Sequence, residues 1–517
     1  MVEYSMKCNL LLSIFFIAKV FSHKNHVVHE KKTFVHPLGS LGSAKCLIEE
    51  SAWTQMEFYS FRDIRYAEPP TRYYRFRPTP IITKFDAEPY DATEYRKSCV
   101  NTSFGTTQNT IDETILDCLY LAVHTPKLQG NLPVMVYITG FDLLHGSNEE
   151  ADPGFFMERD IVLVSIQYRV GVFGFLNANT PSIPGNGAIH DILTVLRWIR
   201  KYISLFGGNP NSVTLFGQYK VAGIIQLLTM IPEADGLFHK IICQSGSVFT
   251  ENIFSFSTAA ISTQIGIMLG CPNILNAKKL SDCILGASIA DLNFLFWEYL
   301  KNHNGNVGLL TVGGIGGIIP YMPYESKRRG RIRSHPMIIG IVENPATYIL
   351  DAFFPGQLSI FSRNHLYPIG GFDLQGEEYK HSLLDRISFE DKKMRKNLKS
   401  GIDLSSPSKR YVYIFRYRST KHYLDRKSGN PLRDVTLLDD NMFLFSKGPL
   451  TSKDDLQVAK QMVDFWTNFA TDGVPKSESL GEWPTYEDGD TKFLVIDKNM
   501  RIENDFQLYI EPSLDET

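Results

Sequence analysis

The sequence predicts an α/β fold with a mostly parallel central sheet flanked by helices. Short, nearly continuous apolar runs recur along the chain, as expected of strands that are buried on both faces. Segments with a helical spacing of apolar residues lie between these runs, and such alternation is typical of parallel sheets. No internal repeat or low-complexity linker divides the 517 residues, so we expect a single large domain.

The individual elements follow from these two periodicities. The predicted helices cover 188–205, before the stop signal Gly207-Gly208, and 454–470. The predicted strands are the apolar runs at 133–138, 161–166, 213–216, 336–342, 411–415 and 493–496.

The overall charge excludes several function classes. The chain has 53 Lys+Arg against 56 Asp+Glu, a net charge of −3, which argues against a strongly basic nucleic-acid binder and against a polyacidic tail protein. Hydrophobic residues make up 43% and charged residues 21%, as in ordinary globular chains. A chain of this length can bury a large core, so folding requires no metal or disulfide scaffold. We also expect no cofactor and no metal site.

The N-terminus predicts a secreted protein. Lys7 precedes the short apolar run 10–18 (LLLSIFFIA), and small residues follow near Ser22. This pattern is typical of a secretory signal peptide, here residues 1–22, which leaves residues 23–517 as the folded domain. An uncleaved anchor is the alternative, but the run is shorter than the roughly 20 residues of a membrane span. No later segment has that length without charges, so no transmembrane span is expected after cleavage.

Cysteine usage agrees with an oxidising compartment. We expect two disulfides that close short loops, Cys99 with Cys118 and Cys271 with Cys283. Cys243 lies in an apolar stretch and is interpreted as a buried free thiol, whereas the state of Cys46 stays open. The sequon at Asn101 predicts a glycan if that site faces solvent.

Several short strings carry a resemblance to a known family. They occur in one collinear order between about residues 61 and 496: 66–70 (YAEPP), 117–121 (DCLYL), 168–171 (YRVG), 206–210 (FGGNP), 213–217 (VTLFG), 244–247 (QSGS) and 466–470 (WTNFA). With these strings the chain resembles the type-B carboxylesterase/cholinesterase family of the α/β-hydrolase fold. The resemblance implies that fold and, in active members, hydrolysis of carboxylic esters by a Ser-His-acid triad.

The three triad positions depart from the family pattern. The family needs a serine in a G-x-S-x-G turn, whereas residues 217–221 read GQYKV and place Tyr219 there. The histidine position of the family pattern falls on Leu437, although the following segment DDNMFLF is retained. The acid position falls on Pro345, and the nearby Glu343 would have no histidine to orient.

The oxyanion positions depart from the pattern as well. The family carries a histidine and three glycines after the strand, because glycine lets backbone N–H groups approach an oxyanion. The equivalent positions hold Gly140, Phe141 and Asp142. The carboxylate of Asp142 would repel a developing negative charge.

We therefore predict a catalytically inactive member of the family. Loss of a triad lowers the turnover rate about 10⁶-fold, and loss of an oxyanion donor lowers it about 10²–10³-fold. A phenolate at Tyr219, beside Lys220, is an alternative nucleophile, against the simpler interpretation that Tyr219 fills the former pocket. Ser245 and Ser247 are poor candidates, because active members keep both without using either as the nucleophile. Three histidines, His190, His239 and His422, show no Ser–His–acid spacing and are interpreted as polar surface residues.

Two further charged features have structural interpretations. Arg169 and Asp191 match family positions that form a buried ion pair, and we expect the same pair here. The basic run 327–333 (KRRGRIR) is interpreted as a solvated helix end and loop, with binding of a heparan-type polyanion as the alternative.

The resemblance leaves three functions open. Neuroligins, neurotactin and glutactin are members that have lost triads and act in extracellular adhesion or signalling, which implies a protein partner outside the cell. A carrier that binds a hydrophobic small molecule is the second hypothesis, since the substrate pocket of the fold is apolar. A working esterase with a relocated site is the third.

Overall fold

The computed structural model describes most of the chain between residues 31 and 509. The described residues are 31–102, 113–255, 257, 259–303, 307–315, 317–346, 377–405, 408–419, 435–446, 450, 452–506 and 509. The signal peptide expected at residues 1–22 and His422 lie outside them.

A large mixed sheet organises the fold. Its thirteen described strands run in the order β1-β2-β3-β5-β7-β6-β10-β11-β12-β13-β16-β17, and β4 pairs with β2 at the side of this path. The sheet strands are β1 (Thr33–Pro37), β2 (Ser43–Glu50), β3 (Glu57–Arg65), β4 (Tyr90–Asp91), β5 (Tyr120–Thr125), β6 (Leu132–Ile138), β7 (Val162–Ile166), β10 (Gly208–Gln218), β11 (Lys240–Gln244), β12 (Met337–Val342), β13 (Arg410–Phe415), β16 (Phe493–Ile496) and β17 (Arg501–Glu503). Two small ribbons pair β8 (Asn177–Thr180) with β9 (Ile183–Pro184), and β14 (Lys476–Ser477) with β15 (Gly481–Glu482).

The parallel part of the sheet confirms the predicted fold class. Seven neighbouring strands, from β7 through β6, β10, β11, β12 and β13 to β16, pair in parallel. All six predicted strands are among these seven, and each observed strand overlaps its predicted range. β10 lies between β6 and β11, with Leu215 opposite Val136 on one side and Ile241 on the other. The carboxyl ends of these strands therefore form one edge of the sheet.

The antiparallel strands β1, β2 and β3 were not among the predicted strands. β2 and β3 are partly exposed, so their apolar residues do not form the continuous runs that mark the central strands. β3 also carries an irregularity between Phe61 and Ile64, where Asp63 adopts a φ of 50°. A bulge of this kind interrupts the alternation on which strand prediction depends.

Helices cover the sheet and fill the region after β11. The α-helices are α1 (Gly171–Phe175), α2 (Gly187–Tyr202), α3 (Lys220–Leu228), α4 (Ala260–Met268), α5 (Ala277–Gly286), α6 (Ile289–Asn302), α7 (Pro323–Arg328), α8 (Glu377–Leu404) and α9 (Lys453–Asp472). α2 continues as a 3-10 turn to Phe206, and Gly207 then ends it with a φ of 80°. In α9, the Ser452 side chain accepts a hydrogen bond from the N–H of Asp455, which fixes the predicted start.

The expected ion pair is present and fully buried. Asp191 accepts hydrogen bonds from Arg169 Nε at 2.7 Å and from its terminal nitrogen at 2.6 Å, and the Asp191 side chain is 0% exposed. A second terminal nitrogen of Arg169 donates to the carbonyl oxygen of Tyr74 at 3.0 Å. The pair thus joins α2 to the segment between β3 and β4, and its hydrogen bonds compensate for the cost of burying two charges.

Both expected disulfides are present, Cys99–Cys118 and Cys271–Cys283. Among the described cysteines, Cys46 and Cys243 form no disulfide and are buried, and burial raises the pKa of both thiols. Asn101 is half-buried, and its side-chain nitrogen lies 3.4 Å from Ser98 Oγ. The third sequon residue, Ser103, lies outside the described residues, so glycosylation of Asn101 stays a prediction.

In the part of the chain that the structure describes, no single helix is long and apolar enough to cross a membrane. The pair α5 and α6 passes such a test only jointly, and a bend of 118° separates the two helices.

Candidate functional site

A sharp turn joins β10 to α3 at the carboxyl edge of the sheet. Tyr219 lies at this turn with a φ of 50° and a ψ of −115°, a strained conformation for a residue with a side chain. A serine nucleophile of an α/β-hydrolase occupies the same kind of strand-to-helix turn. Gly246 allows the turn to approach closely, because a Cβ at this glycine would lie 2.0 Å from the carbonyl oxygen of Tyr219.

The Tyr219 phenol is held in its neutral form. Its side chain is half-buried, and burial raises the pKa of Tyr219 well above the ordinary value. The negative charges of Glu251, Glu390 and Asp142 act in the same direction. A phenol becomes a nucleophile when its pKa is lowered, for example by a nearby positive charge. The negative charges and the partial burial around Tyr219 have the opposite effect.

The backbone N–H of Lys220 is already occupied. In an α/β-hydrolase, the N–H of the residue after the nucleophile is one of the oxyanion donors. Here the N–H of Lys220 donates to the carbonyl oxygen of Phe141 at 3.0 Å. The Lys220 side chain is half-buried, and burial lowers the pKa of its amine against the opposing effect of Asp142 and Glu251.

The loop after β6 is organised around the Asp142 carboxylate. This carboxylate accepts hydrogen bonds from the N–H groups of Leu144 at 2.8 Å and His145 at 3.1 Å, and it lies 2.7 Å from His145 Nδ1. Burial acts to raise the pKa of Asp142, but the hydrogen bonds and the charges of His145 and Lys220 outweigh it and hold the pKa below the ordinary value. Gly140 is the one retained glycine, with a φ of 82°.

Leu437 is buried at the edge of the site, in the segment that follows the undescribed residues 420–434. Three residues later, Asp440 accepts hydrogen bonds from Gln218 Nε2 at 2.8 Å, Gln244 Nε2 at 3.2 Å and the Tyr413 hydroxyl at 2.9 Å. Since Gln218 directly precedes Tyr219, these bonds tie the Leu437 segment to the turn.

Asp440 is the main feature that sequence reasoning missed. Its carboxyl group is fully buried, and burial raises its pKa to about 6 despite the three donors. The Oε1 atoms of Gln218 and Gln244 are buried beside it, with no hydrogen-bond partner among the described residues. The retained DDNMFLF segment indicated that an acidic residue follows the Leu437 position. Nothing in its sequence indicates whether Asp439 or Asp440 is buried beside the turn.

The third triad position lies close to the second. Pro345 is buried after β12, and the N–H of the preceding Asn344 donates to the carbonyl oxygen of Val435 at 3.0 Å. Glu343 turns elsewhere, with its Oε1 atom 3.2 Å from Arg416 Nε. The fold therefore brings the segments of Tyr219, Pro345 and Leu437 to one edge of the sheet.

The other candidate hydroxyls and imidazoles have structural roles. Ser245 Oγ accepts a hydrogen bond from the N–H of Val342, and Ser247 Oγ donates to the carbonyl oxygen of Asn397 at 2.8 Å. His239 Nδ1 accepts from the N–H of Val213 at 3.1 Å. His190 is half-buried on α2, where burial lowers its pKa.

Comparison with known proteins decides the family. The carboxylesterase family model matches residues 40–398 and 388–508. The chain belongs to the carboxylesterase family. Within this family, it is 30% identical to glutactin from Drosophila melanogaster over 417 residues, which are 72% of this chain and 40% of that protein. The chain thus matches less than half the length of this relative.

Similar carboxylesterase-family proteins include enzymes. Juvenile hormone esterase from Tribolium castaneum is 26% identical over 499 residues, 82% of each chain. The crystal structure of juvenile hormone esterase from Manduca sexta has a TM-score of 0.74, with 19% identity, over 93% of this chain and 99% of that one. This likeness shows the α/β-hydrolase fold, as the sequence predicted.

Proposed function

We propose that this carboxylesterase-family chain is a secreted binding protein that acts in extracellular adhesion or signalling and has lost ester hydrolysis. The observation that carries the proposal is the contact between the Lys220 N–H and the Phe141 carbonyl oxygen at 3.0 Å. A donor that an oxyanion would need is engaged within the protein, next to a neutral phenol in the place of the nucleophile.

The remaining positions support the same proposal. Leu437 cannot accept a proton, and Pro345 carries no carboxylate. His145 and Asp142 form the one imidazole–carboxylate contact described in this loop, but that carboxylate also accepts two backbone hydrogen bonds and is committed to the shape of the loop. General acid–base catalysis needs a group that can exchange its proton with the substrate.

The scaffold, by contrast, keeps its stabilising features. The buried pair of Arg169 and Asp191 and both disulfides are retained. The disulfides fit an oxidising compartment, as expected of a secreted chain. The similarity to glutactin supports a non-catalytic role within the family.

The carrier hypothesis receives less support. It requires an apolar cavity at the carboxyl edge, where Phe141 and Tyr219 lie half-buried. One cleft of about 410 Å³ formed by described residues lies elsewhere, and its lining includes Lys327, Lys399, Asp403 and Asp488. Charged walls of this kind suit a polar ligand instead of a hydrophobic one.

The test of lost catalysis is labelling by a fluorescent fluorophosphonate, with an active carboxylesterase of the family as the positive control. We expect no covalent label on the purified protein and no hydrolysis of p-nitrophenyl esters above the buffer rate. Stoichiometric labelling that a Tyr219→Phe variant abolishes would show a working nucleophile and reject the proposal. Saturable binding of the folded domain to live cells, lost after protease treatment of the cells, tests the extracellular protein partner.

A further inference from the structure

Two segments that are far apart in sequence form one basic surface. One segment is the end of α7 and the loop that follows it, and the other is one face of α8. We call this surface the basic tract. It comprises Lys327, Arg328, Arg329, Arg331, Arg333, Lys392, Lys396 and Lys399.

The first half is an exposed helix end and loop, as the sequence predicted. Arg328 and Arg329 both pair with Glu325, one turn earlier on α7, and the Arg328 side chain is 77% exposed. Arg331 is exposed on the loop, and Arg333 pairs with Asp235. Two arginines share one carboxylate, so most of their N–H donors stay available to a ligand.

The second half is a row of lysines on α8. Lys392, Lys396 and Lys399 have the spacing i, i+4 and i+7, which places them on one face of a helix. The row is roughly 10 Å long at 1.5 Å per residue. Lys392 and Lys396 are exposed, and Lys399 is half-buried.

Asp403 joins the two halves. Lys327 Nζ donates to the backbone carbonyl oxygen of Asp403 at 2.9 Å, and Lys399 Nζ donates to the Asp403 carboxylate at 2.6 Å. Lys327 and Lys399 also line the cleft of about 410 Å³, together with Tyr486 and Thr491. Asp403 therefore connects the lysine row to Lys327, at the start of the arginine-rich loop.

The arginine half of the basic tract lies towards the amino edge of the sheet. The N–H of Arg333 donates to the carbonyl oxygen of Thr229, just beyond the end of α3. α3 begins at the turn that holds Tyr219, so its length separates the arginine half from that turn. The lysine half lies closer to the carboxyl edge, because the Asn397 carbonyl oxygen of α8 accepts a hydrogen bond from Ser247 Oγ, just after β11. Binding at the basic tract would not depend on the state of the former catalytic positions.

The charge of the tract opposes that of the whole chain. Its eight basic residues face three paired acids, Asp235, Glu325 and Asp403, which leaves 8 − 3 = +5 against a net −3 for the chain. Asp488 in the cleft is paired with Arg410 at 3.1 Å. An elongated excess of Lys and Arg attracts a flexible polyanion and bonds its sulfate oxygens by charge-assisted hydrogen bonds.

We infer that the basic tract binds a linear sulfated polysaccharide of the heparan type. Separated sulfate groups along a chain match a row of lysines that leads into a cluster of arginines. The inference rests on the proposed function only for the compartment, since such polysaccharides are extracellular. None of the eight residues of the basic tract is one of the positions that decide catalysis.

The experiment measures the affinity of the full chain for immobilised heparin. The first variant is Arg328→Gln/Arg329→Gln/Arg331→Gln, and the second is Lys392→Gln/Lys396→Gln/Lys399→Gln. The matched control is Lys127→Gln/Lys278→Gln/Lys498→Gln, which removes three exposed lysines that are likewise in surface ion pairs. Far-UV circular dichroism and thermal unfolding verify that each variant is folded.

We expect the wild type to bind at about 0.15 M salt, and each tract variant to bind about tenfold more weakly or worse. The control should stay within about twofold of the wild type.

Four outcomes would contradict the inference. An equal loss of heparin affinity in the control would mean unspecific electrostatic attraction, and a loss in only one tract variant would reject a continuous surface. Equal binding to fully desulfated heparin or to anionic lipid vesicles would reject the sulfated polysaccharide. None of these outcomes changes fluorophosphonate labelling, so failure here is distinct from failure of the proposed function.

Discussion

The backbone N–H of Lys220 donates a hydrogen bond of 3.0 Å to the carbonyl oxygen of Phe141. This bond links the turn after β10 to the loop after β6, the two segments from which a hydrolase of this fold builds its oxyanion hole. The Phe141 carbonyl oxygen is a hydrogen-bond acceptor, so it occupies the Lys220 N–H that would otherwise donate to the substrate oxyanion. The loss of catalysis that we propose thus depends on backbone position as well as on side-chain identity.

Restoring the nucleophile and the base should therefore fail to restore catalysis. We expect the Tyr219→Ser/Leu437→His variant to hydrolyse p-nitrophenyl acetate no faster than the wild type, because the donor of Lys220 stays engaged. Loss of one oxyanion donor alone costs about 10²–10³ in rate. Stopped-flow absorbance would detect an acyl-enzyme burst as well as turnover. A burst in this double variant would show that the Phe141 carbonyl can be displaced, and it would contradict the prediction.

The phenol of Tyr219 should resist ionisation. Burial raises its pKa, and three neighbouring carboxylates reinforce the effect. We expect the ultraviolet difference titration between the wild type and Tyr219→Phe to show no phenolate signal below about pH 10, the ordinary tyrosine value. A titration step near neutral pH that disappears in Tyr219→Phe would instead identify an activated phenolate.

Asp440 should make the protein less stable as the pH rises. Its pKa is about 6 when folded against 3.8 for the exposed group. The folded state thus favours the protonated form, and this stability is complete below about pH 4 and lost as the pH passes 6. A difference of about 2 pKa units corresponds to about 3 kcal/mol in the free energy of unfolding.

The Asp440→Asn variant tests this effect by urea unfolding at several pH values. Its amide can donate to the partnerless Oε1 atoms of Gln218 and Gln244, so we expect stability at pH 7 equal to or above that of the wild type. The decline between pH 4 and 6 should become shallower, without vanishing, because burial also raises the pKa of Asp63 to about 6. An unchanged pH slope in the variant would show that Asp440 does not titrate in this range.

Removing one partner of the buried ion pair should be severe. We expect Asp191→Ala to lower the free energy of unfolding by about 3–5 kcal/mol, because Arg169 would keep an uncompensated buried charge. The exposed pair of Lys278 and Asp282 provides the control, and Asp282→Ala should cost about 0.5 kcal/mol or less. Chemical unfolding and the yield of secreted protein give two measurements. A similarly small loss in both variants would contradict the prediction. It would show that the backbone carbonyl oxygens bonded to Arg169 compensate for its buried charge without Asp191.

The central fold could be predicted because its signals are local. The strand runs at 133–138 and 161–166 are apolar on both faces, and α2 is marked by both its periodicity and Gly207. β1 to β3 give weaker signals, since partial exposure and the irregularity at Asp63 break their pattern. Burial on one face leaves too few apolar positions to identify such strands without their partners.

The site could be predicted only in part. Motif order predicts that Tyr219, Leu437 and Pro345 occupy the triad positions, because they lie at fixed distances from the strings that carry the resemblance. The partners of Asp440 come from three different strands, β10, β11 and β13, so no spacing in the sequence predicts that they meet. The bond between Lys220 and Phe141 likewise depends on where two loops meet in space.

The turn at Tyr219 keeps a φ of 50° although a phenol occupies it. Left-handed backbone at a residue with a Cβ costs about 1–3 kcal/mol, and it persists only where the surroundings impose it. The crossing of β10 and α3, with Gly246 packed beneath, imposes it here. In this protein, distorted geometry at the strand–helix junction is a requirement of the architecture, so such distortion by itself is no signature of an enzyme.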